Sequence, residues 1–325
     1  MVKDLTKPET PQVETGKQVT ITIPEGSGAA SIIQQLLDAG VISDQASFAN
    51  ALKQQGADSK LKPGTYNFFT GSKDQNVIDL LIAGPNASAN TVTIPEGSTV
   101  AQTAAYVEAT LKIPAKDFMS QAKASKYAGD YAFLKEAAAT EQDSLEGYLY
   151  PKTYNFDGKD TSADAVIRTM LDQYVSELSK QDFDAAKKKL KSNYNVELSD
   201  YQLLKLASII EKEAIKDDQR ANISSVFYNR LKAGMALQSD TTMAYALGHE
   251  IKKPEENHQD SPYNSYDHQG VSIATPICSP SLASIQAALE PASTDYLYFW
   301  ITQKAEHFSK TEAEHTKTYN EHLSS

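Results

Sequence analysis

The chain has 325 residues, of which 40% are hydrophobic and 22% are charged, and its formal net charge is −11. A chain of this length is too long for one ordinary core, so we expect two or three domains. The excess of negative charge argues against a nucleic-acid partner, because neutralising phosphates requires a basic face. The single cysteine, Cys278, cannot form an internal disulfide.

Residues 1–17 are polar and are interrupted by Pro8 and Pro11. This composition is typical of a flexible tether, and we expect no folded element before residue 18. No apolar run in the sequence approaches the roughly 18 residues that a membrane-spanning helix needs.

A six-residue motif, Thr-Ile-Pro-Glu-Gly-Ser, occurs at 22–27 and again at 93–98. Each copy follows a strand-like alternation and precedes an amphipathic helical pattern, and Pro-Glu-Gly is typical of a turn. Ser27 and Ser98 are the expected N-caps of the helices that follow. Two copies indicate duplicated strand–turn–helix units, whereas a solenoid would need more repeats.

The patterns divide the chain into a small α+β domain at 18–85, a linker at 86–90 and a larger mixed domain at 91–325, and we expect the two domains to meet at a cleft. Gly84-Pro85 is a strong helix stop before the linker. In the first domain, helices are predicted at 30–39, 48–54 and 76–82, with a strand-like segment at 62–68. In the second, helices are predicted at 100–111, 114–125, 163–178 and 182–190, with a β-like turn at 144–154.

The most informative helix begins at Ser199, where Ser199 and Gln202 fit a capping box. An apolar stripe follows at helical spacing. Glu211 and Glu213 lie about 80° to either side of that stripe. A carboxylic acid beside apolar side chains has a raised pKa, as a general acid requires. The alternative, that both side chains extend into water, is common for helical glutamates, and the spacing does not choose between the two.

The sequence becomes recognisable at this helix. Ala207-Ser208-Ile209-Ile210-Glu211-Lys212-Glu213-Ala214 resembles the signature helix of the YceG-like (MltG) endolytic murein transglycosylases. Four further motifs of that family follow or precede it in the expected order: Leu145 to Leu149, Val226 to Leu231 with Gly234 to Asp240, Ser261 to Tyr266, and Asp295 to Phe299. The resemblance covers about residues 18–322.

The resemblance implies an α+β fold with a small LysM-like N-terminal domain and a larger catalytic domain. It implies an endolytic lytic transglycosylase, a lyase that cleaves peptidoglycan glycan strands, and it assigns the catalytic acid/base to Glu211. Family members are anchored by one N-terminal transmembrane helix and act outside the cytoplasmic membrane, and cell-wall synthesis proteins are further candidate partners. We therefore expect this chain to be the extracytoplasmic part that follows such an anchor.

One segment departs from the family pattern. The family usually has a Gly-Leu-Pro-Pro-Gly-Pro-Ile type of loop after the Tyr-Asn motif. Here residues 270–278 read Gly-Val-Ser-Ile-Ala-Thr-Pro-Ile-Cys. The part from Gly270 to Ile277 is one residue longer than the family loop and is poorer in proline and glycine. The departure leaves open which substrate contacts the backbone of this loop makes.

A transglycosylase needs one carboxylate, because murein supplies its own nucleophile, the 6-hydroxyl of N-acetylmuramic acid. Polar side chains expected near Glu211 to bind the sugars are Gln238, Asp240, Tyr263 and Asn264. The alternative is that these four residues have local structural roles. Ser239-Asp240-Thr241 suits a helix start, and Pro262 to Ser265 suits a turn. Glu146 is a weaker catalytic candidate and is more consistent with a structural role.

Three other functions compete with this one. A pyridoxal-phosphate enzyme of the aminodeoxychorismate lyase type needs a Schiff-base lysine and a phosphate cradle, and no Gly-rich phosphate loop is visible. The six histidines show no paired helical spacing with a carboxylate, so neither a metal nor a cofactor is expected. The serious rival is a non-catalytic murein-binding scaffold, which would release no anhydro-ended fragments.

Overall fold

The computed structural model describes residues 16–86, 90–302 and 305–323. Helices predominate in the described chain, and each of three short antiparallel strand pairs forms its own sheet. The predicted α+β class is confirmed. Most of the predicted tether, residues 1–15, and the middle of the predicted linker, residues 87–89, lie outside the described residues.

The chain divides into two compact units. The first extends to Pro95 and includes Ala109–Leu111 and Thr153–Asp157, and the second holds the remaining residues. The domain boundaries expected from the sequence, with a linker at 86–90 and a cleft between domains, stay predictions.

The first unit is built on the pairing of β1 with β2, in which Ile21 stands opposite Tyr66. Its elements are β1 (Gln18–Ile23), α1 (Ala29–Asp38), α2 (Gln45–Gln54), β2 (Gly64–Phe69), α3 (Asp74–Ala83), and a second sheet of β3 (Thr91–Thr93) and β4 (Thr153–Asn155). Leu36, Phe48 and Leu52 are fully buried in its core, where they pack with residues from both strands and all three helices. This is the small hydrophobic core that the sequence patterns predict.

The second unit is mainly helical, and α9 packs chiefly against α12 and α10. Its elements are α4 (Val100–Leu111), whose last turn belongs to the first unit, α5 (Ala115–Gln121), α6 (Lys135–Ala138), α7 (Ala163–Leu178), α8 (Phe183–Tyr194), α9 (Asp200–Glu213), α10 (Arg220–Ala233), α11 (Asp240–Leu247), α12 (Leu282–Leu289), α13 (Glu312–Leu323), and the pair β5 (Tyr298–Ile301) with β6 (Glu306–Ser309). Leu206, Ile209 and Ile210 are fully buried. The helix with the two glutamates is therefore a central element of its unit.

Helix caps show where the sequence patterns succeed and fail. The capping box predicted at the start of α9 is confirmed, with reciprocal bonds between Ser199 and Gln202. The predicted caps Ser27 and Ser98 are wrong by one residue, because Gly28 and Thr99 occupy the N-cap positions. The Ser27 hydroxyl instead donates to the Pro24 carbonyl and closes the Pro-Glu-Gly turn. In the parts of the chain that the structure describes, no helix is both long enough and apolar enough to cross a bilayer.

Gly147 offers a test of the packing in the second unit. Its φ is +87°, and an added Cβ would lie 2.7 Å from Pro276 and 3.2 Å from Leu204. We expect Gly147→Ala to destabilise the protein by about 2–4 kcal/mol, since it combines left-handed strain with overpacking. Thermal unfolding of the variant measures the loss.

Gly158→Ala is the matched control, because Gly158 has a φ of +68° but nothing within 4 Å of an added Cβ. It should lose only about 1 kcal/mol through backbone strain. Equal losses for the two variants would contradict the close packing of Gly147 against Pro276.

Candidate active site

Glu211 lies in the last turn of α9 and is 3% exposed. Its Oε2 accepts hydrogen bonds from the Ser281 hydroxyl at 2.6 Å, the Ser284 hydroxyl at 2.8 Å and the Ser281 backbone N–H at 3.1 Å. Nη1 of Arg220 lies 3.2 Å from the same oxygen. Three helices thus meet at this carboxylate, since Arg220 begins α10 and the two serines stand at the start of α12.

Arg220 is itself buried, at 2% exposure. Its Nη1 also donates to the Ser284 hydroxyl at 2.7 Å, and its Nη2 and Nε donate to Asp217 at 3.0 and 3.2 Å. A buried ion pair is tolerated when hydrogen bonds satisfy both ions, whereas an unpaired buried charge is strongly destabilising. The guanidinium therefore compensates the charge of Glu211 and fixes its position.

The second copy of the repeated motif lies directly against Glu211. An added Cβ on Gly97 would be 3.7 Å from Glu211 Cγ and 4.0 Å from its Oε1. The Gly97 N–H donates to the Ser279 carbonyl at 2.8 Å, and the Ser279 N–H returns a bond to Ser98. Lys212 Nζ donates to the Gly97 carbonyl at 2.7 Å. The sequence predicts this Pro-Glu-Gly segment only as a turn between a strand and a helix. In the structure the turn also lies beside the Glu211 carboxylate.

The end of the divergent segment 270–278 is fixed to α9 one turn before Glu211. The Ile277 N–H donates to the Ser208 hydroxyl at 3.0 Å, and Cys278 Sγ contacts the Ser208 carbonyl at 3.4 Å. Ser279 to Ser281 follow immediately in the chain. The segment therefore sets the position from which Ser281 reaches Glu211.

Glu146 is a second buried carboxylate, at 3% exposure. Its two oxygens accept the Val100 N–H at 3.1 and 3.2 Å, and Oε2 also accepts the Tyr245 hydroxyl at 3.0 Å. Burial raises the pKa of Glu146 to about 7, although the Val100 and Tyr245 donors act to lower it. Because Val100 starts α4 just after Gly97, Glu146 holds the turn that contacts Glu211.

Glu213 is half-buried on the opposite side of α9. Its Oε1 accepts hydrogen bonds from the hydroxyls of Ser239 and Thr241. Burial raises the pKa of Glu213 to about 7, the Ser239 donor acts to lower it, and the neighbouring Asp240 charge raises it further. Glu213 thus joins α9 to the segment that leads into α11.

Two of the predicted sugar-binding residues, Gln238 and Asp240, flank the Ser239 that bonds to Glu213. Gln238 Oε1 accepts a hydrogen bond from Arg230 at 2.9 Å, and Asp240 accepts from Asn257 at 2.7 Å. The predicted helix start is confirmed, since Ser239 is the N-cap of α11. These contacts shape the segment, and the sugar-binding role of both residues stays a prediction.

The other two, Tyr263 and Asn264, lie in the predicted turn. The Tyr263 ring contacts the Tyr245 ring at a centroid distance of 5.0 Å, and its hydroxyl bonds to Thr275 at 2.9 Å. Asn264 bridges the turn through Gln259 and Asp267. Tyr263 is thus brought toward Glu146 through Tyr245, and the sugar-binding role of Tyr263 and Asn264 also stays a prediction.

Arg220, Ser281, Ser284 and Gly97 are the site residues that sequence reasoning missed. The only signals in the sequence were the second copy of the repeat and the Ser-x-x-Ser spacing at the start of α12. Among the described residues, no cluster of three or more His, Cys, Asp or Glu side chains could hold a metal ion.

The fold and this site define an α+β protein with a central helix that carries a buried, charge-paired glutamate. Residues 21–321 match the YceG-like family. The chain belongs to that family.

Two curated relatives extend the comparison. The chain is 33% identical over 323 residues to the endolytic murein transglycosylase of Bacillus subtilis strain 168, covering 94% of this chain and 85% of that protein. It is 31% identical over 336 residues to the endolytic murein transglycosylase of Streptococcus pneumoniae serotype 2 strain D39. This second match covers 95% of the chain but only 59% of the pneumococcal protein.

A solved structure is also similar. The crystal structure of a YceG-like protein from Listeria monocytogenes has 32% sequence identity and a TM-score of 0.64 to this chain. The match covers 93% of this chain and 99% of the Listeria chain.

The raised pKa of Glu146 predicts a specific pH dependence of stability. A carboxylate whose folded pKa of about 7 exceeds its ordinary value of 4.5 contributes stability that is complete below the ordinary value and is lost as pH rises through about 7. Glu146→Gln keeps an acceptor for Val100 and cannot ionise. From about pH 5 to about pH 8, the variant should lose less stability than wild type, by on the order of 1–3 kcal/mol.

Thermal unfolding across that range measures the difference. Glu108→Gln, on the exposed face of the same helix α4, is the matched control and should follow the wild-type curve. If Glu146→Gln also follows the wild-type curve, Glu146 does not take up a proton on folding in this range.

Proposed function

We propose that this chain is an endolytic murein transglycosylase that cleaves the bond between N-acetylmuramic acid and N-acetylglucosamine and leaves 1,6-anhydro-N-acetylmuramic acid ends. The observation that carries the proposal is the position of Glu211: the family's signature helix presents it as a buried carboxylate held by four donors. Relatives named endolytic murein transglycosylase, similar over at least 94% of this chain, support it.

Glu211 serves first as acid and then as base. Its proton passes to the glycosidic oxygen, the bond from muramic acid C1 to that oxygen breaks, and the bonding electrons leave with the departing N-acetylglucosamine. The N-acetyl group of muramic acid assists at C1. The 6-hydroxyl oxygen then bonds to C1, and its proton returns to Glu211, so no second carboxylate and no water are consumed.

The donors around Oε2 suit this cycle. When Glu211 gives up its proton, the resulting negative charge meets Arg220 and the two serine hydroxyls, which already point at it. Donors that need no reorganisation are the most effective form of electrostatic stabilisation in an active site.

Further features are part of the proposal. The first unit, with its small α+β core, would be the LysM-like murein-binding domain, and Gln238, Asp240, Tyr263 and Asn264 would bind the sugars. Resemblance to the family supports a location at the cell membrane, through an anchor, with the catalytic part on the extracytoplasmic side. The corresponding cellular role is to trim or terminate nascent glycan strands. Cell-wall synthesis proteins are the candidate partners in that role.

The two glutamates of α9 provide the test. Glu211→Gln keeps the side-chain shape but carries no transferable proton, so the formation of anhydro-ended fragments should fall at least about 1,000-fold. Glu213→Gln should keep activity within about tenfold of wild type, because its bonds to Ser239 and Thr241 can be retained. Mass analysis of the products from purified glycan strands gives both rates.

Three outcomes contradict parts of this proposal. Reversed effects of the two substitutions would make Glu213 the acid. Products with ordinary reducing ends would indicate a hydrolase. A folded wild-type protein that binds strands and releases no fragments would be the murein-binding scaffold.

A further inference from the structure

Gln238 has a backbone conformation that residues with a side chain normally avoid. Its φ is +52°, in the left-handed region where a Cβ is unfavourable. Its N–H donates to the Ser265 carbonyl at 2.9 Å, and this bond holds the backbone in place. The residue is nevertheless exposed. Strain of this kind collects at ligand-binding positions, so Gln238 is a candidate for one.

Arg230 fixes which end of the Gln238 amide faces outward. Arg230 is only 7% exposed, and it donates from Nε to the Leu297 carbonyl at 2.7 Å and from Nη1 to the Leu237 carbonyl at 3.0 Å. Nη1 also donates to Gln238 Oε1 at 2.9 Å. Since a guanidinium has donors and no acceptor, the atom that faces it must be the amide oxygen. The NH₂ group of Gln238 therefore points away from Arg230, and no described residue accepts a hydrogen bond from it.

Asp240 presents a group of opposite polarity two residues later. Ser239, between the two, is 2% exposed, whereas Asp240 is exposed like Gln238. The hydrogen bonds that Asp240 accepts, from the Tyr266 hydroxyl and from Asn257, both end on Oδ1. Within the described part of the chain, no donor bonds to Oδ2. The segment thus offers an amide donor and a carboxylate acceptor on either side of a buried serine.

We propose that Gln238 and Asp240 together bind the acetamido group of an N-acetylated sugar. The Gln238 NH₂ group donates to the acetyl carbonyl, and Asp240 Oδ2 accepts the amide N–H. A secondary amide carries one acceptor and one donor and so matches the pair, whereas Asp240 would repel a carboxylate ligand. The inference rests on the proposed function for its substrate, since both sugars of murein carry this group, and it makes the two residues determinants of specificity.

Replacing the outward donor of Gln238 by an acceptor tests the proposal. Gln238→Glu has the same shape and keeps an oxygen for Arg230, but it presents a second carboxylate oxygen where the NH₂ group was. Calorimetry in the Glu211→Gln background, which prevents cleavage, measures the affinity for peptide-free glycan strands before and after de-N-acetylation. With Gln238 present, the acetylated strand should bind at least about tenfold more tightly than the deacetylated strand, and Gln238→Glu should abolish this preference.

Gln269→Glu is the matched control, because Gln269 is exposed and forms a β-bridge with Ala236, close to the same segment. It adds the same charge and should keep the preference for the acetylated strand. Asp240→Asn is the second variant, in case Gln238→Glu does not fold. It keeps an oxygen for the donors to Oδ1, replaces Oδ2 by a donor, and should weaken binding of the acetylated strand by about tenfold. Thermal unfolding shows that each variant is folded.

Two results would overturn the inference. One is a folded Gln238→Glu variant that still prefers the acetylated strand, and the other is an equal loss of preference in Gln269→Glu, which would make the added charge the cause. Peptide bonds are also secondary amides, so strands that still carry their peptides are the third ligand. A loss of affinity in Gln238→Glu that is confined to those strands would place a peptide amide in the site and reject the acetamido group.

Cleavage by the chain with Glu211 intact tests the proposed function separately. Release of anhydro-ended fragments, together with an unchanged preference in Gln238→Glu, would keep the function and reject the inference. A preference that is lost in Gln238→Glu, in a protein that releases no fragments with Glu211 intact, would keep the inference and reject the function.

Discussion

The ion pair between Glu211 and Arg220 is the interaction on which the second unit's site depends. Both side chains are almost fully buried, at 1% and 3% exposure, and removing either one would leave the other's charge buried with weaker compensation. Arg220 also donates to Asp217, and Glu211 also accepts a hydrogen bond from Ser281 at the start of α12. The packing of α9 against α10 and α12 is therefore fixed by polar contacts as well as by the apolar face of α9.

The sequence predicts the local parts of this arrangement well. The capping box at Ser199, and with it the start of α9, and the position of Glu211 beside the apolar stripe follow from patterns within one element, and the structure contains them. The donors could not be predicted, because Ser281 and Ser284 lie 70 and 73 residues away in the chain. The cap prediction at Ser98 is wrong because turns and N-caps favour the same residue types, and only the path of the backbone shows which hydroxyl reaches the helix.

A perturbed pKa alone does not identify the acid here. Glu146 and Glu213 both have pKa values raised to about 7 by burial, yet each has an evident structural task, one at the start of α4 and one before α11. Buried hydrogen-bond networks with a structural role also raise the pKa values of carboxylates that take no part in catalysis. Glu211 differs because it lies beside Gly97. Since Gly97 has no side chain, the backbone of its turn lies close to the Glu211 carboxylate. The proposal that Glu211 is the acid therefore rests on its geometry together with the family resemblance.

The most direct measurement is a crystal structure of Glu211→Gln with a murein glycan strand bound. The account predicts that the glycosidic oxygen between N-acetylmuramic acid and N-acetylglucosamine lies within about 3.2 Å of the side-chain amide at position 211, with Ser281 and Ser284 still in contact with that side chain. The Gly97 turn would then border the bound sugar. A strand whose scissile bond lies beside Glu213 or Glu146, with the substituted side chain at position 211 still enclosed, would contradict the account.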